Sequence, residues 1–322
     1  MIEMVNLTKQ FETVLAVDGI HLTVQPGEVL ALLGPNGAGK TTTVRMLSAI
    51  LKPTAGHATV AGYDVASQSL EVRRCVGVLT ESPGLYQRMS GQEYLDFFGE
   101  VRGLEPQARL ARIAHLADWF EMSGVLDRRL GEYSKGMAQK VALMRTLLHD
   151  PAVLLLDEPT SAMDPQSARL VRDTILQLRS TQRSIIICTH NLVEAEELAD
   201  RIAIIRQGRI VVQGTPAELK TRLLGAPLME VRFSQPGLNG AASLVARFAQ
   251  IEGVGEDTMR MEFIRYRTDR PGEVNSAILE ALLAAGMQVF SLSEVPQSLE
   301  SVYLRVIAGR QGSAEGTAAV DA

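Results

Sequence analysis

The stretch Gly34-Pro35-Asn36-Gly37-Ala38-Gly39-Lys40-Thr41-Thr42 constrains this chain more than any other. The apolar run Val29–Leu33 leads into it, and a helical pattern leaves it at Thr43, Val44, Met46, Leu47 and Ile50. Strand, glycine-rich loop and helix start, in that order, are the setting of a phosphate-binding loop. The glycines let successive backbone N–H groups turn inward on one anion, and the helix N-terminus adds its positive end. Lys40 supplies a point charge for the outer phosphates, and the Thr41 hydroxyl suits a magnesium ion. An ordinary turn accounts for the glycines but not for a Lys-Thr pair between a strand and a helix. The loop says that a nucleoside triphosphate binds; it does not say what for.

The 322 residues suffice for a large domain and a small one. With 46% hydrophobic and 21% charged residues, the chain reads as an ordinary globular protein. A net charge of −5 gives no electrostatic reason to expect nucleic acid or an acidic membrane surface as partner. The two cysteines, Cys75 and Cys188, lie in apolar runs and read as buried thiols, which fits a cytosolic compartment. Met1-Ile2-Glu3-Met4 lacks the basic start and apolar core of a signal peptide. No apolar run approaches the about 20 residues that span a bilayer, so work at a membrane needs another chain for the membrane part.

Short alternating runs over Glu3–Val24 read as antiparallel strands with Asp18-Gly19 as the turn. Phe11, in a polar stretch, either stacks on a base or fills a minor core; the local residues favour the core slightly. Strands are expected over Ala58–Ala61 and Cys75–Leu79. From Ser90 to Asp150 the period turns helical, opened by the capping box Ser90-Gly91-Gln92-Glu93. Pro106 starts a helix with Leu110, Ile113, Ala114, Ala117 and Phe120 on one face. Ala152–Leu156 and Ser184–Cys188 are too apolar to be half exposed and read as central strands. Asp164-Pro165 caps a helix, Leu192–Leu198 is a short acidic helix, and Gln207-Gly208 turns a hairpin. After Leu224-Gly225-Ala226-Pro227 come strands at Met229–Phe233, Met259–Tyr266 and Gln288–Leu292, and helices at Ala241–Phe248, Val274–Ala285 and from Leu299. That order suggests a split βαβ arrangement. The division is thus 1–223 as the nucleotide-binding domain, with a helical subdomain at about 82–150, then a linker at 224–228, a small α+β domain at 229–308 and a disordered tail at 309–322.

Two carboxylates, Asp157 and Glu158, end the apolar run Val153–Leu156. In a phosphate-loop fold that strand end faces the phosphates. Asp157 then holds magnesium and Glu158 polarises the attacking water as general base. Thr189-His190 ends the next buried strand, where His190 can sense the γ-phosphate. Tyr133-Ser134-Lys135-Gly136-Met137 offers a second anion cradle at a helix start. One nucleotide does not need two cradles in one chain, but a head-to-tail dimer lets each chain cap the other's nucleotide.

These motifs together resemble the nucleotide-binding subunit of ATP-binding-cassette (ABC) transporters, over residues 2 to about 220. Gly34–Thr42 matches the Walker A loop, Leu154–Glu158 matches Walker B with its glutamate, and Tyr133–Met137 matches the signature. Ser161-Ala162-Met163-Asp164 matches the D-loop and His190 the switch histidine. Phe11 falls at the family's base-stacking aromatic, which reverses the reading from local residues. Glu81 stands where the family usually has the Q-loop glutamine, a magnesium contact and link to the membrane partner. Lys135 and Met137 depart from the commoner signature, and Ala162-Met163 from the usual Gly-Leu. Ser298–Leu304 resembles the ending of subunits in the drug, sodium and polysaccharide exporter branch. The resemblance implies an α/β fold with an antiparallel β subdomain, bound ATP and Mg2+, and ATP hydrolysis. It further implies a homodimer or heterodimer of cassettes and an integral membrane permease on a separate chain, at the cytoplasmic face of the membrane. The rivals are a soluble ABC ATPase acting on ribosomes or nucleic acid, and an importer subunit. A single cassette without sustained heptads argues against the first, and the signature and C-terminal ending against the second. The second cradle argues against a kinase or GTPase.

Overall fold

Val29–Leu33, Val153–Asp157 and Ser184–Thr189 bury every residue, as strands do when both faces of their sheet are covered. The computed structural model describes residues 1–82, 84–161, 163–179, 182–234, 257–259, 263–296 and 298–308. It divides into two compact units at Pro216/Ala217. That boundary falls earlier than the linker expected at 224–228, inside a helix (Pro216–Leu224).

The first unit begins with β1 (Ile2–Phe11), β2 (Val14–Val24), β3 (Val29–Leu33), α1 (Lys40–Leu47), β4 (Ala55–Val60), β5 (Tyr63–Asp64), α2 (Ser69–Cys75) and β6 (Val76–Leu79). It continues with α3 (Gly91–Val101), α4 (Pro106–Trp119), α5 (Lys135–Leu147), β7 (Val153–Asp157), α6 (Pro165–Arg179), β8 (Ser184–Thr189), α7 (Leu192–Leu198), β9 (Arg201–Arg206) and β10 (Arg209–Gly214). One sheet has the order β10-β9-β3-β8-β7-β6, parallel except for β10; the other is antiparallel, β2-β1-β4-β5. Alternation along the buried strands sorts the core. Leu154, Leu156, Ile185 and Ile187 pack with side chains of α3 to α7. Val153, Leu155, Ile186 and Cys188 pack with α1 and the antiparallel sheet. Both faces are thereby covered, and α1 is fixed through Val44, Met46 and Leu47.

The helical segment starts at the expected capping box. Ser90 Oγ accepts from the Glu93 N–H at 3.1 Å, and the Glu93 carboxylate accepts from the Ser90 N–H at 2.8 Å. Several expectations need correction. Asp18-Gly19 is not the β1–β2 turn; the turn is Glu12-Thr13, and Gly19 sits at φ 61 in an irregularity within β2. Thr8 Oγ1 accepts from the Gly19 N–H there, so a local bond holds the distortion. Helix α2 escapes sequence reading because it buries Val72 alone. On α4 the buried face is Ile113, Leu116, Ala117 and Phe120, with Leu110 and Ala114 exposed. Cys188 is buried, Cys75 only half so, and neither is in a disulfide.

The second unit opens with α8 (Pro216–Leu224) and β11 (Leu228–Phe233), then β12 (Asp257–Met259), β13 (Phe263–Arg267), α9 (Pro271–Ala284), β14 (Val289–Glu294) and α10 (Leu299–Ala308). Its sheet order is β12-β13-β11-β14, all antiparallel. The run Met259–Tyr266 is therefore two paired strands rather than one. Val231, Phe233, Ile264 and Tyr266 pack against Val274, Ile278 and Leu282 of α9. The helix expected at 241–248 and the tail at 309–322 lie outside the described residues. Among the described residues no helix is long and apolar enough to cross a membrane.

His149, beyond α5, binds the Val76 carbonyl through Nε2 at 3.1 Å. Burial, helped by the Arg102 charge, pushes its imidazole down to about 4. The unfolded chain takes up this proton near the ordinary value, so the stability from His149 is full above about 6.5 and is lost as pH falls toward 4. Urea unfolding at pH 7 and 4.5 should show the native chain losing about 2 kcal/mol more than His149→Gln.

Candidate functional site

Parallel pairing brings the strand ends together. Leu33 of β3 lies beside Thr189 of β8, and Asp157 of β7 beside Cys188. Pro35–Thr42, Glu81, Asp157, Glu158 and His190 therefore border one cleft of about 250 Å³, with Gly34 just outside its lining. Ala16 of β2 closes its side.

The loop is clamped on that side. A Cβ on Gly34 would stand 2.3 Å from the Ile205 carbonyl oxygen, and one on Gly39 2.6 Å from that of Ala16. Gly39 also adopts φ 111, which a side chain disfavours. The Gly208 N–H in the β9–β10 turn donates to Ala38 at 2.9 Å. Lys40 Nζ donates back to the carbonyls of Gly34 and Pro35, at 2.6 and 3.2 Å. The ammonium thus lies over its own loop, with the α1 N-terminus beneath.

Thr41 Oγ1 donates to the Asp157 carboxylate at 2.9 Å. Burial raises the Asp157 carboxyl above its ordinary range, opposed by the Thr41 bond and reinforced by the charges of Glu158 and Glu81. Glu158 stands at φ 51, unusual for a side-chain-bearing residue and frequent at functional sites. Its N–H donates to the Cys188 carbonyl at 2.8 Å. His190 meets Glu158 Oε1 twice, through Nδ1 at 2.6 Å and the backbone N–H at 3.1 Å. The rest of the imidazole is open, with the side chain 67% exposed.

Three carboxylates and one ammonium leave this pocket with excess negative charge, which a cation would offset. Among the described residues no group of three or more His, Cys, Asp or Glu side chains could hold a metal. The hard oxygen donors Thr41 and Asp157, already in contact, suit magnesium in the way that metal is usually held, with phosphates and water completing its shell.

Phe11 does not border the cleft. It ends β1 with 42% of its surface exposed, and Lys9 Nζ lies 5.1 Å from its ring. It fills no minor core. Ser134, Lys135, Gly136 and Met137 do not border the cleft of their own chain either. Ser134 caps α5 by accepting from the Met137 N–H at 3.2 Å, and Ser134 and Lys135 are exposed. A Cβ on Gly136 would stand 3.6 Å from Asp164 Oδ2, so this cradle lies beside the Ser161–Asp164 loop. Asp164 Oδ1 caps α6 through the N–H groups of Gln166 and Ser167. Ala162 is outside the described residues.

The ABC transporter family model matches residues 17–161. A daunorubicin resistance ATP-binding protein of Streptomyces coeruleorubidus is 35% identical over 90% of this chain and 90% of its own length. The chain belongs to the ABC transporter ATP-binding family. It is 40% identical to the ABC transporter ATP-binding protein NatA of Bacillus subtilis, over 66% of this chain and 89% of that one. The Nod factor export ATP-binding protein I of Burkholderia lata is 37% identical over 77% and 82%. Among solved structures, an ATP-binding subunit of an ABC transporter is 27% identical with a TM-score of 0.66, covering 70% of this chain and 94% of that one. A dimeric ATP-binding cassette bound to ADP and Pi shares the fold at 21% identity and a TM-score of 0.62, over 67% and 98%.

An ABC cassette is an ATPase coupled to transport, and the cleft described above is the candidate site for its nucleotide. Two polar side chains around that site escaped the sequence reading. Gln139, on α5, donates to the carbonyls of Glu158 and Pro159 at 3.4 and 3.3 Å. Glu194, on α7, accepts from Thr160 Oγ1 at 2.7 Å. Gln139 follows the signature by two residues and Glu194 follows His190 by four, so each lies within about a helical turn's worth of sequence from a legible motif. Ala16 carries no chemistry that a sequence reading could have flagged.

Because burial raises Asp157, the unfolded chain releases that proton first. The stability from this group is full at low pH and is lost as pH rises through the ordinary carboxylate range. Asp157→Asn should therefore stabilise the nucleotide-free protein at pH 7 by about 1 kcal/mol, read by thermal unfolding. The same variant should lose magnesium-dependent ATP hydrolysis.

Proposed function

We propose that this ABC ATPase powers export of a substrate through a separate membrane subunit, working at the cytoplasmic face of the membrane as one of a pair of cassettes. The observation that carries the reading is the Glu158–His190 pair at the edge of the phosphate-loop cleft, while the signature cradle Ser134–Met137, with Ser134 and Lys135 exposed, does not border that cleft.

In this reading Lys40 and the loop N–H groups hold the β- and γ-phosphates. Thr41 and Asp157, with Glu81 nearby, would hold magnesium, which offsets negative charge on the phosphates as the bond breaks. Glu158 takes a proton from water through the carboxylate that His190 orients. His190 keeps its exposed ring edge for the γ-phosphate. Ser134 and the Gly136 N–H reach the γ-phosphate of the other cassette, and the Ser161–Asp164 loop meets that chain beside them. Phe11 is assigned to the base, which a closing of the β1–β2 hairpin onto the nucleotide would require. Loss of the γ-phosphate removes the group shared by both chains and so weakens the closed state.

Export rests on the daunorubicin resistance and Nod factor export relatives. A membrane partner is supported by an open aromatic surface that begins five residues after Glu81 in the chain. Tyr86 and Phe97 are 51% and 43% exposed, and the Tyr86 ring stacks on Phe98 at 6.0 Å. Contiguous exposed aromatics of this kind mark contact sites.

Glu158→Gln should bind ATP, turn it over about 100-fold or more slowly, and elute as a stable dimer with ATP. Native turnover in that variant would remove Glu158 from the role of base.

A further inference from the structure

Glu194 is a carboxylate that the mechanism above leaves unused. It is 1% exposed, on the first turn of α7. Burying a carboxylate is costly, and an apolar side chain would fill that helix face at less expense. Its surroundings explain what the charge does there. Thr160 Oγ1 donates to Glu194 Oε1 at 2.7 Å, and the Thr189 hydroxyl faces the same carboxylate and favours its charged form. Arg172, which pairs with Glu197 at 3.1 Å, adds attraction.

Both hydroxyls belong to the catalytic strand ends. Thr160 follows Glu158 by two residues and directly precedes Ser161. Thr189 directly precedes His190, accepts from the Asn191 N–H at 3.0 Å, and reaches Glu158 Oε2 at 3.4 Å. A single buried carboxylate therefore joins the turn after β7, the end of β8 and the start of α7. Glu158 sits at its left-handed φ between these anchors, where a small shift would move its carboxylate away from His190.

We propose that Glu194 is a positioning residue for ATP hydrolysis, fixing Glu158 and His190 relative to one another through Thr160 and Thr189. The proposal rests on the roles given to Glu158 and His190 above. Glu194 does not border the phosphate-loop cleft. Its bond to Thr160 also ties the catalytic pair to the Ser161–Asp164 loop.

The test compares ATP turnover by the full chain in native form and as Glu194→Ala, Glu194→Gln, Thr160→Val and Glu194→Ala/Thr160→Val. Glu194→Ala should lower kcat about 10- to 100-fold with KM for ATP little changed, because the phosphate loop is untouched. Glu194→Gln keeps an acceptor for Thr160 and should stay within about threefold of native. Thr160→Val should reproduce most of the alanine loss, and the double variant should lose little more than either single one. If Glu194→Ala fails to fold, Thr160→Val reads the same bond. Native kcat in Glu194→Ala or Thr160→Val, a glutamine variant as impaired as alanine, fully additive losses, or a raised KM with native kcat would each overturn the proposal. Glu158→Gln measured alongside separates the two claims. If it is inactive while Glu194→Ala is native, only the positioning role falls; if it is active, the base assignment falls first.

Discussion

A parallel sheet delivers the ends of its strands to one edge, and the chemistry of this chain depends on that delivery. β3 hands over the phosphate loop, β7 the Asp157-Glu158 pair and β8 the Thr189-His190 pair, with adjacent residues in register. Because every residue in these strands is buried, a one-residue slip would exchange the side chains that fill the helical core with those that fill the core under the antiparallel sheet, and packing on both faces holds the register. Helices cover one face and the antiparallel sheet the other. The catalytic geometry is thus a consequence of the core, not of the loops alone.

The cost of the arrangement is electrostatic. Asp157, Glu158 and Glu194 are all buried, and the ammonium at hand is Lys40, which lies against its own loop carbonyls. Hydroxyls do much of the compensation: Thr41 on Asp157, Thr189 on Glu158, and Thr160 on Glu194. Strain at Glu158 and unbalanced charge at Asp157 are typical of sites held for function rather than for stability.

What the sequence made legible follows from how each residue acts. The phosphate loop, the Asp-Glu pair and the histidine depend on residue type at fixed spacing after an apolar strand, so they can be read in one dimension. The central strands are legible because two-sided burial leaves an unbroken apolar run. Gln139 and Glu194 act across the fold, on carbonyls and hydroxyls brought to them by packing, and a glutamine or glutamate on a helix otherwise looks like surface. Asp18-Gly19 misleads because the same dipeptide suits a turn and a strand irregularity, and the bond from the Gly19 N–H to Thr8 decides between them. The run Met259–Tyr266 hides two strands because its apolar-polar alternation (Met259, Arg260, Met261, Glu262, Phe263) continues across their junction. Phe11 is legible as an aromatic at the family's position, yet it lies outside the cleft.

The glycine loop and the signature cradle occupy separate places on one chain, the first lining the cleft and the second capping α5 beside Asp164. The account holds that a second cassette joins them. The most direct measurement is ATP hydrolysis by a mixture of Lys40→Ala and Ser134→Glu chains. Each variant alone breaks both sites of its own pair. A mixed pair places both lesions in one site and leaves the other whole. The account expects turnover to be absent from either variant alone and to return on mixing. A mixture as inactive as its components, or a Ser134→Glu chain that hydrolyses ATP at the native rate alone, would contradict it.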